Sequence, residues 1–270
     1  MPSFRPIFVV AGNTLREAVR QRLVVILFTM TLFMVGGARV VGAFNLGGSQ
    51  LKFVMDFGFG VIEFFGAALA VVGTSQLFFS EIEQRTIFAL FAKPISHEVY
   101  LIGKFVGMLG LITFFWAVMM VTLAGVLWMM AHAVGQESAA LSGMDFSAFF
   151  GSAVGQLMRM VVLLALTLLV ASFSKTQLFT SAVGFALWAM CHLQSIAQNA
   201  VDRSTAGPGR WAAKALALGV PDFQLFDFTG AIVSVGEFHW AVVGRLVIFT
   251  VTYTAAITCL AAFGFRRREF

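Results

Sequence analysis

Long apolar stretches alternate with short polar connections along most of this chain. Six of the stretches are long enough, at about 20 residues or more, to cross the hydrocarbon core of a bilayer as helices. We therefore expect an all-α integral membrane protein that forms one domain over residues 1–270. The six predicted spanning helices lie at about 23–45, 57–79, 102–133, 148–173, 177–198 and 238–265.

Residues 1–22 follow a different pattern, because they contain arginines but no continuous apolar run. In a helix, apolar side chains would fall on one side, namely Phe8, Leu15, Val19 and Leu23. The arginines would fall towards the other side. This pattern predicts an amphipathic helix in the membrane interface. A cleavable signal peptide is the alternative, since Val41-Gly42-Ala43 resembles a cleavage site, but the apolar stretch is too long for one.

Residues 78–104 form the longest charged interruption in the first half of the chain. Apolar positions first recur at helical spacing, and Pro94 then breaks the pattern, because the residue before a proline is disfavoured in a helix. Ser96 can cap a new helix. The segment 80–101 is thus predicted to contain a short helix, a turn at Lys93-Pro94 and the start of the third span.

The segment 199–237 is too polar and too often broken by proline to be a further span. Trp211 and Leu216 are nevertheless apolar enough to enter a bilayer. We expect re-entrant or interfacial helices here, because irregular backbone at membrane depth must be covered by protein or water.

Composition supports a membrane protein, since only 11% of the residues are charged and 59% are hydrophobic, against about 25% charged in soluble domains. The basic residues cluster at the ends of apolar runs, where membrane topology explains them. We therefore do not expect nucleic-acid binding. Cys191 and Cys259 fall within apolar runs and predict neither a disulfide nor a metal site.

Lys and Arg are retained on the cytoplasmic side of membranes, and they are distributed unequally here. Eleven of the 18 would lie on the side that contains both termini and the 80–101 segment, and five on the other side. The remaining two, Arg159 and Arg245, lie within helices. Both termini are therefore predicted to be cytoplasmic.

Four charged residues lie inside the apolar stretches, and such residues are functional candidates because they are costly in lipid. They are Arg39, Glu63, Arg159 and Arg245. Their distances from the predicted helix ends place them in one layer in the outer half of the membrane. Two interpretations remain open: ion pairs that hold the helices together, with Arg39 reaching the headgroups, or an electropositive lining for an anionic substrate or lipid headgroup.

Other motifs are less specific. His132, His192 and His239 have no spacing that favours a metal site. Gly103-x-x-x-Gly107 and Gly151-x-x-x-Gly155 would allow close packing of helices. No Gly-x-x-x-x-Gly-Lys-Ser/Thr loop occurs, so the sequence predicts no nucleotide site and no enzyme activity in this chain.

The 80–101 segment and its flanks resemble a known family. Glu81-x-Glu83-x-x-Thr86, followed by Leu90, Lys93-Pro94-Ile95-Ser96 and Leu101-x-Gly103-Lys104, is similar to the first cytoplasmic loop of ABC-2-type transporter permeases. The order of predicted elements resembles that family over the whole chain. His97 departs from it, since arginine is frequent there. Pro221-Asp222-Phe223 also resembles the subgroup linked to multicopper-enzyme maturation.

The resemblance implies a permease of a bacterial-type inner membrane that exports a substrate by alternating access. Two separate ABC ATPase subunits would bind ATP and Mg and supply the energy, so no cofactor is expected on this chain. The other expected partners are a second permease copy, or a similar permease, and membrane lipid. The residues implied to contact the ATPase are Glu81, Glu83, Arg85, Thr86, Phe88, Lys93 and Pro94, braced by Arg16 and Arg20. A non-transporting scaffold that recruits an ATPase to power an extracytoplasmic process is the alternative.

Overall fold

The computed structural model describes residues 5–42, 50–83, 97–133, 146–202, 220–232 and 239–266. These ranges are helical apart from short connections and contain no strands. The helices are α1 (Arg5–Arg20), α2 (Arg22–Gly36), α3 (Ala38–Gly42), α4 (Gln50–Ala68), α5 (Thr74–Glu83), α6 (His97–Ala133), α7 (Phe146–Phe173), α8 (Gln177–Asp202) and α9 (Trp240–Arg266). A π-helical turn, Leu69–Gly73, joins α4 to α5, and two 3₁₀ helices, Phe223–Phe226 and Thr229–Ile232, precede α9.

Five helices of the described part are long and apolar enough to cross a membrane. They are Arg22–Val40, Leu51–Glu81, Glu98–Met130, Phe146–Phe173 and Trp240–Phe265, and each overlaps a predicted span. The predicted fifth span also forms a helix, α8, whose polar residues, such as His192 and Gln194, make it less apolar than these five. The described residues thus confirm an all-α fold with several helices able to span a membrane, and the predicted fifth span, with the total of six, remains a prediction.

The second span is one continuous rod made of α4, the π turn and α5, with 19, 5 and 10 residues. At about 1.5 Å per residue it is roughly 50 Å long, more than the hydrocarbon core of about 30 Å. The π turn contacts α8, where a Cβ atom added at Gly184 would lie 2.7 Å from Cγ1 of Val71. One turn further, the hydroxyl oxygens of Ser75 and Ser181 are 2.7 Å apart.

Helix α1 has three faces that meet three different surroundings. The face packed on α6 consists of buried, mostly small residues: Val10, Ala11, Thr14 and Ala18. A second face is apolar but exposed, and consists of Phe8, Leu15 and Val19. The third face carries Arg16 and Arg20, both exposed. A helix with a packed face, an exposed apolar face and an exposed charged face is the arrangement expected at a membrane interface.

Two glycines of α6 allow α1 to approach its backbone. A Cβ atom at Gly103 would lie 2.7 Å from Cβ of Val10, and one at Gly107 would lie 2.7 Å from the carbonyl oxygen of Ala11. Such distances are too short for real Cβ atoms, so these positions require glycine. The Gly103-x-x-x-Gly107 motif therefore allows α1 to pack closely on α6.

The described part of the 199–237 segment packs on α7. Phe223 and Phe226 are buried, each 1% exposed, and the side chain of Asp222 accepts a hydrogen bond from the backbone N–H of Gln224 at 2.9 Å. A Cβ atom at Gly155 of α7 would lie only 2.3 Å from the carbonyl oxygen of Phe226. Gly155 thus makes room for the backbone of this segment. Residues 203–219 and 233–238 lie outside the described residues.

We predict that Gly107→Ala loosens α1, because its new methyl group would lie 2.7 Å from a backbone carbonyl. The expected loss is about 1–3 kcal/mol of unfolding free energy, typical of overpacking, with faster tryptic cleavage near Arg20. Limited proteolysis and thermal unfolding of the purified chain would measure both.

Gly110→Ala is the matched control on the same helix, because a Cβ atom there has no neighbour within 4 Å. It should be neutral or stabilising by about 0.5–1 kcal/mol, since alanine favours a helix over glycine. If the two variants had the same unfolding free energy and the same rate of tryptic cleavage, the close packing of α1 at Gly107 would be contradicted.

Candidate functional site

Polar and charged side chains meet where α1, α5 and α6 come together, beside the connection between α5 and α6. We call this group the α1-end cluster. Its members are Glu17 on α1, Ser80 and Glu81 on α5, and Tyr100 and Lys104 on α6.

Lys104 is the centre of the α1-end cluster. Its Nζ atom lies 3.2 Å from Oε2 of Glu81 and donates to the carbonyl oxygen of Leu77. The hydroxyl group of Tyr100 donates to the same carboxylate oxygen. Lys104 is only 2% exposed, and a lysine is almost never buried to that extent without a partner. The cluster therefore fixes the end of α5 against α6.

Further contacts extend the α1-end cluster to two more helices. The hydroxyl group of Ser80 donates to Oε1 of Glu17 at 2.9 Å, which ties α5 to α1. The ring of Tyr100 stacks on that of Phe265 in α9, with centroids 5.8 Å apart. Nζ of Lys104 lies 5.5 Å from the centre of the Tyr100 ring, within the range of a cation–π contact. Four helices are thus held together at the base of the 84–96 connection.

The predicted ATPase-contacting residues divide into three groups. Arg85, Thr86, Phe88, Lys93 and Pro94 lie outside the described residues. Glu83 is the last residue of α5, and Arg16 and Arg20 are exposed on α1. Glu81 differs, because its side chain is 17% exposed and pairs with Lys104. The carboxylate of Glu81 therefore forms an ion pair within this chain, with Lys104.

The second polar region is a cavity of about 380 Å³ between α4, α7, α8 and residues 220–232, which contain both 3₁₀ helices and are called the 3₁₀ segment below. We call it the far-end cavity, because Glu63 in it lies 18 residues, or about 27 Å along the rod, from Glu81. Its charged lining residues are Lys52, Asp56, Glu63, Arg159 and Asp227, and His192 also lines it.

The floor of the far-end cavity is an ion pair between two helices. Nη2 of Arg159 on α7 lies 3.2 Å from Oε2 of Glu63 on α4, and the residues are 8% and 9% exposed. Nε2 of His192 on α8 lies 3.9 Å from the other oxygen of Glu63. Nδ1 of His192 holds the ring in place by donating to the carbonyl oxygen of Trp188 at 3.0 Å, since a carbonyl can only accept.

Gln156 adds a further link beside this floor. Its Nε2 atom donates to the carbonyl oxygen of Phe59 at 2.7 Å, so that α7 is joined to α4 one turn before Arg159. Three helices, α4, α7 and α8, therefore meet through polar contacts at the floor of the cavity.

The four charged residues predicted to form one layer differ in their surroundings. Glu63 and Arg159 come together, as the ion-pair interpretation expects. Arg39 on α3 and Arg245 on α9 have exposed side chains and do not line the far-end cavity. Among the described residues, the lining of the cavity has three carboxylates and two basic side chains, so this part of the lining has no excess of positive charge.

Sequence reasoning missed several members of both regions. Lys104 enters the sequence analysis through the count of basic residues and through the family motif, but not as a partner of Glu81, although the two residues flank the 84–96 connection. Lys52, Asp56 and Glu63 lie four and seven residues apart along one face of α4, a polar face that the sequence pattern could have indicated. Asp227 could not have been found in this way, because it approaches through tertiary folding.

Comparison with known families identifies one match. A family model described as "ABC-2 family transporter protein" matches residues 8–207, well over half of the chain. The matched range contains the α1-end cluster and the floor of the far-end cavity, but not the 3₁₀ helices or α9. No curated protein matches the chain.

We predict that Lys104→Met destabilises the protein by about 3 kcal/mol, because it leaves Glu81 largely buried without its cation. Adding Glu81→Gln should recover much of this loss, since the uncompensated charge is then removed. Unfolding in increasing sodium dodecyl sulfate would give the four free energies of this cycle. Additive effects of the two substitutions would show that the pair does not brace the helices.

Arg159→Gln should likewise destabilise the bundle by about 3 kcal/mol, because Glu63 loses the partner at 3.2 Å and stays buried. Glu63→Gln in the same background should restore stability, as measured by thermal unfolding. A stable Arg159→Gln variant would instead favour the interpretation that Arg159 lines a substrate path.

Proposed function

The chain belongs to the ABC-2 family of transporter proteins, and on that premise we propose that it is the transmembrane permease subunit of an ATP-binding-cassette transporter. In this proposal a separate pair of ATPase subunits binds and hydrolyses ATP. The permease works with a second copy or a similar permease and exports its substrate by alternating access. The observation that carries the proposal is the family match over residues 8–207.

The five apolar helices make the chain a multi-pass membrane protein. We further propose that the protein lies in a bacterial-type inner membrane. The α1-end cluster and both termini would face the cytoplasm. The exposed Arg16 and Arg20 support this orientation, because basic residues are retained on that side. Exposed Lys175, between α7 and α8, also lies on the proposed cytoplasmic side.

The proposed ATPase contact is the 84–96 connection with the end of α5. Arg85, Thr86, Phe88, Lys93 and Pro94 would touch the ATPase together with Glu83, and Arg16 and Arg20 would brace the same surface. Glu81 would instead pass movement onward, because its carboxylate joins α5 to Lys104 of α6. Force on the connection reaches this pair first, since α5 and α6 are the helices that it joins.

Alternating access then requires only that ATP binding favours one of two packings of the bundle. The α1-end cluster would move α1, α5, α6 and α9 together. The far-end cavity lies on the other side of the membrane in this orientation.

No observation on the described residues favours the alternative of a non-transporting scaffold. Assignment to the subgroup linked to multicopper-enzyme maturation would rest on Pro221-Asp222-Phe223 alone, so the proposal stays at the level of the family.

Reversing both charges, with Glu83→Lys and Arg85→Glu, tests the proposed contact. We expect the co-purifying ATPase to be lost and transport-linked ATP hydrolysis to fall by about tenfold or more, because an interface loses charge complementarity. Pull-down of the ATPase with the tagged chain and hydrolysis assays in proteoliposomes would measure the two effects.

Lys175→Glu is the control, because it also reverses an exposed charge on the proposed cytoplasmic side, outside the connection. It should leave ATPase binding and hydrolysis intact. If the double reversal affected neither assembly nor hydrolysis, the assignment of the 84–96 connection would be wrong.

A further inference from the structure

An open groove lies between α6 and α9, and we call it the α6–α9 groove. Its lining on α6 extends from Glu98 to Leu109, and its lining on α9 extends from Thr250 to Phe263. Helix α7 contributes Val161. The two walls stand apart because α9 packs more extensively on α7 than on α6.

The surface of the α6–α9 groove is mostly apolar. The hydroxyl group of Thr254 donates to the carbonyl oxygen of Thr250, and that of Thr258 donates to the carbonyl oxygen of Thr254, both at 2.7 Å. The hydroxyl oxygen of Thr250 is itself buried, and Glu98 is the one charged residue of the described lining. A polar occupant would leave its own hydrogen-bonding groups unpaired against this wall, so the occupant is apolar along most of its length.

The α6–α9 groove covers one half of the membrane. The distance from Thr250 to Phe263 is roughly 20 Å along the axis of α9, and the hydrocarbon of one leaflet is about 15 Å thick. Thr250 and Val161 lie near the middle of their helices. At the other end, Phe263 lies two residues before Phe265, whose ring stacks on Tyr100 of the α1-end cluster. The groove therefore extends from one membrane surface to about the mid-plane.

The width of the groove favours an acyl chain over a helix of a second copy. The volume is about 760 Å³, which over roughly 20 Å corresponds to a cross-section of about 40 Å². A helix with its side chains is about 10–12 Å across and needs about 80 Å² or more. A spanning helix would also continue past the mid-plane, where the described lining ends. A hydrocarbon chain is a single row of methylene groups, and it fits both the width and the length.

The sequence at the outer end of the groove is basic. Arg266 is the last residue of α9, and Arg267 and Arg268 follow directly. Position 266 comes four residues after Ala262 and eight after Thr258, two residues that line the groove, so it lies on the same face of the helix. Basic residues just beyond a spanning helix attract anionic lipid headgroups.

We propose that the α6–α9 groove binds an anionic phospholipid, with one acyl chain along the groove and the phosphate group beside residues 266–268. The bound chain fills the gap between α6 and α9 and holds the two helices together. This binding does not depend on the proposed permease function. That the lipid comes from the cytoplasmic leaflet rests on the proposed orientation.

Ala255→Phe is the informative variant, because Ala255 is exposed and lines the groove. The larger side chain would occupy the space of the acyl chain. Ala256→Phe is the matched control, since Ala256 is the next residue of α9 and is also exposed but does not line the groove. Both variants add the same ring to the same helix, so a general effect on folding or membrane insertion would appear in both.

The experiment uses the full chain purified in detergent. Native mass spectrometry after addition of phosphatidylglycerol measures binding, with phosphatidylcholine as the comparison that has no net charge. Phosphatidylglycerol with a diazirine in the middle of one acyl chain locates that chain, by peptide mapping after photolysis. We expect Ala255→Phe to weaken binding of phosphatidylglycerol by about tenfold or more, as for the loss of about two buried methylene groups. Ala256→Phe should have no effect.

Selective binding of phosphatidylglycerol that is weakened by Ala255→Phe alone, with cross-links within residues 98–109 or 250–263, would support the proposal. Absence of binding, equal binding of the two lipids, equal effects of the two variants, or cross-links confined to other helices would overturn it. The proposal would also be overturned if Ala255→Phe converted a dimer into monomers and left lipid binding intact, because the groove would then be an interface between copies. A chain that assembles with its ATPase but binds no phosphatidylglycerol would sink this inference and leave the permease function standing.

Discussion

The structure depends on how ionised groups are paired inside an apolar bundle. An isolated charge taken out of water costs several kcal/mol, and an opposite charge at close range offsets much of that cost. The described part of the chain shows two such buried pairs, Lys104 with Glu81 and Arg159 with Glu63, both at 3.2 Å. Apolar packing tolerates sliding and rotation of helices more readily than such pairs do, so each pair fixes the register of two helices.

Close approach of the backbone is the second condition, because small polar groups can meet only where helices come near one another. Gly103 and Gly107 bring α1 onto α6, and this places Glu17 within reach of Ser80. Gly155 brings the 3₁₀ segment onto α7, and Asp227 then reaches the cavity whose floor contains Arg159. In both regions, glycine and charge act together: one sets the distance, and the other supplies the attraction.

Sequence reasoning recovers most of the helices, but not the direction in which their side chains point. Apolar runs predicted helices that the structure places at Arg22–Val40, Leu51–Glu81 and Glu98–Met130, because length and hydropathy are local properties. The predicted depths put Glu63 in one layer with all three arginines and did not indicate its partner; the structure pairs Glu63 with Arg159, whereas Arg39 and Arg245 are exposed. The rotation of each helix about its axis follows from packing against neighbours, which no single stretch of sequence contains.

One helical rod joins the two polar regions, and this has a mechanical consequence for the proposed permease. Glu81 and Glu63 lie on the same continuous rod, about 27 Å apart along its axis. The π turn between them is the one described interruption of its α-helical pattern, and π turns are frequent at functional sites. That turn is also where the rod meets α8 through Val71 and Gly184. Movement applied to Glu81 would therefore reach Glu63 either as a shift of the whole rod or as a bend at Leu69–Gly73. A bend would change the angle between the cavity floor and α8, on which His192 lies. Because the π turn contacts α8 at Gly184, the packing at Gly184 determines which of the two motions is available.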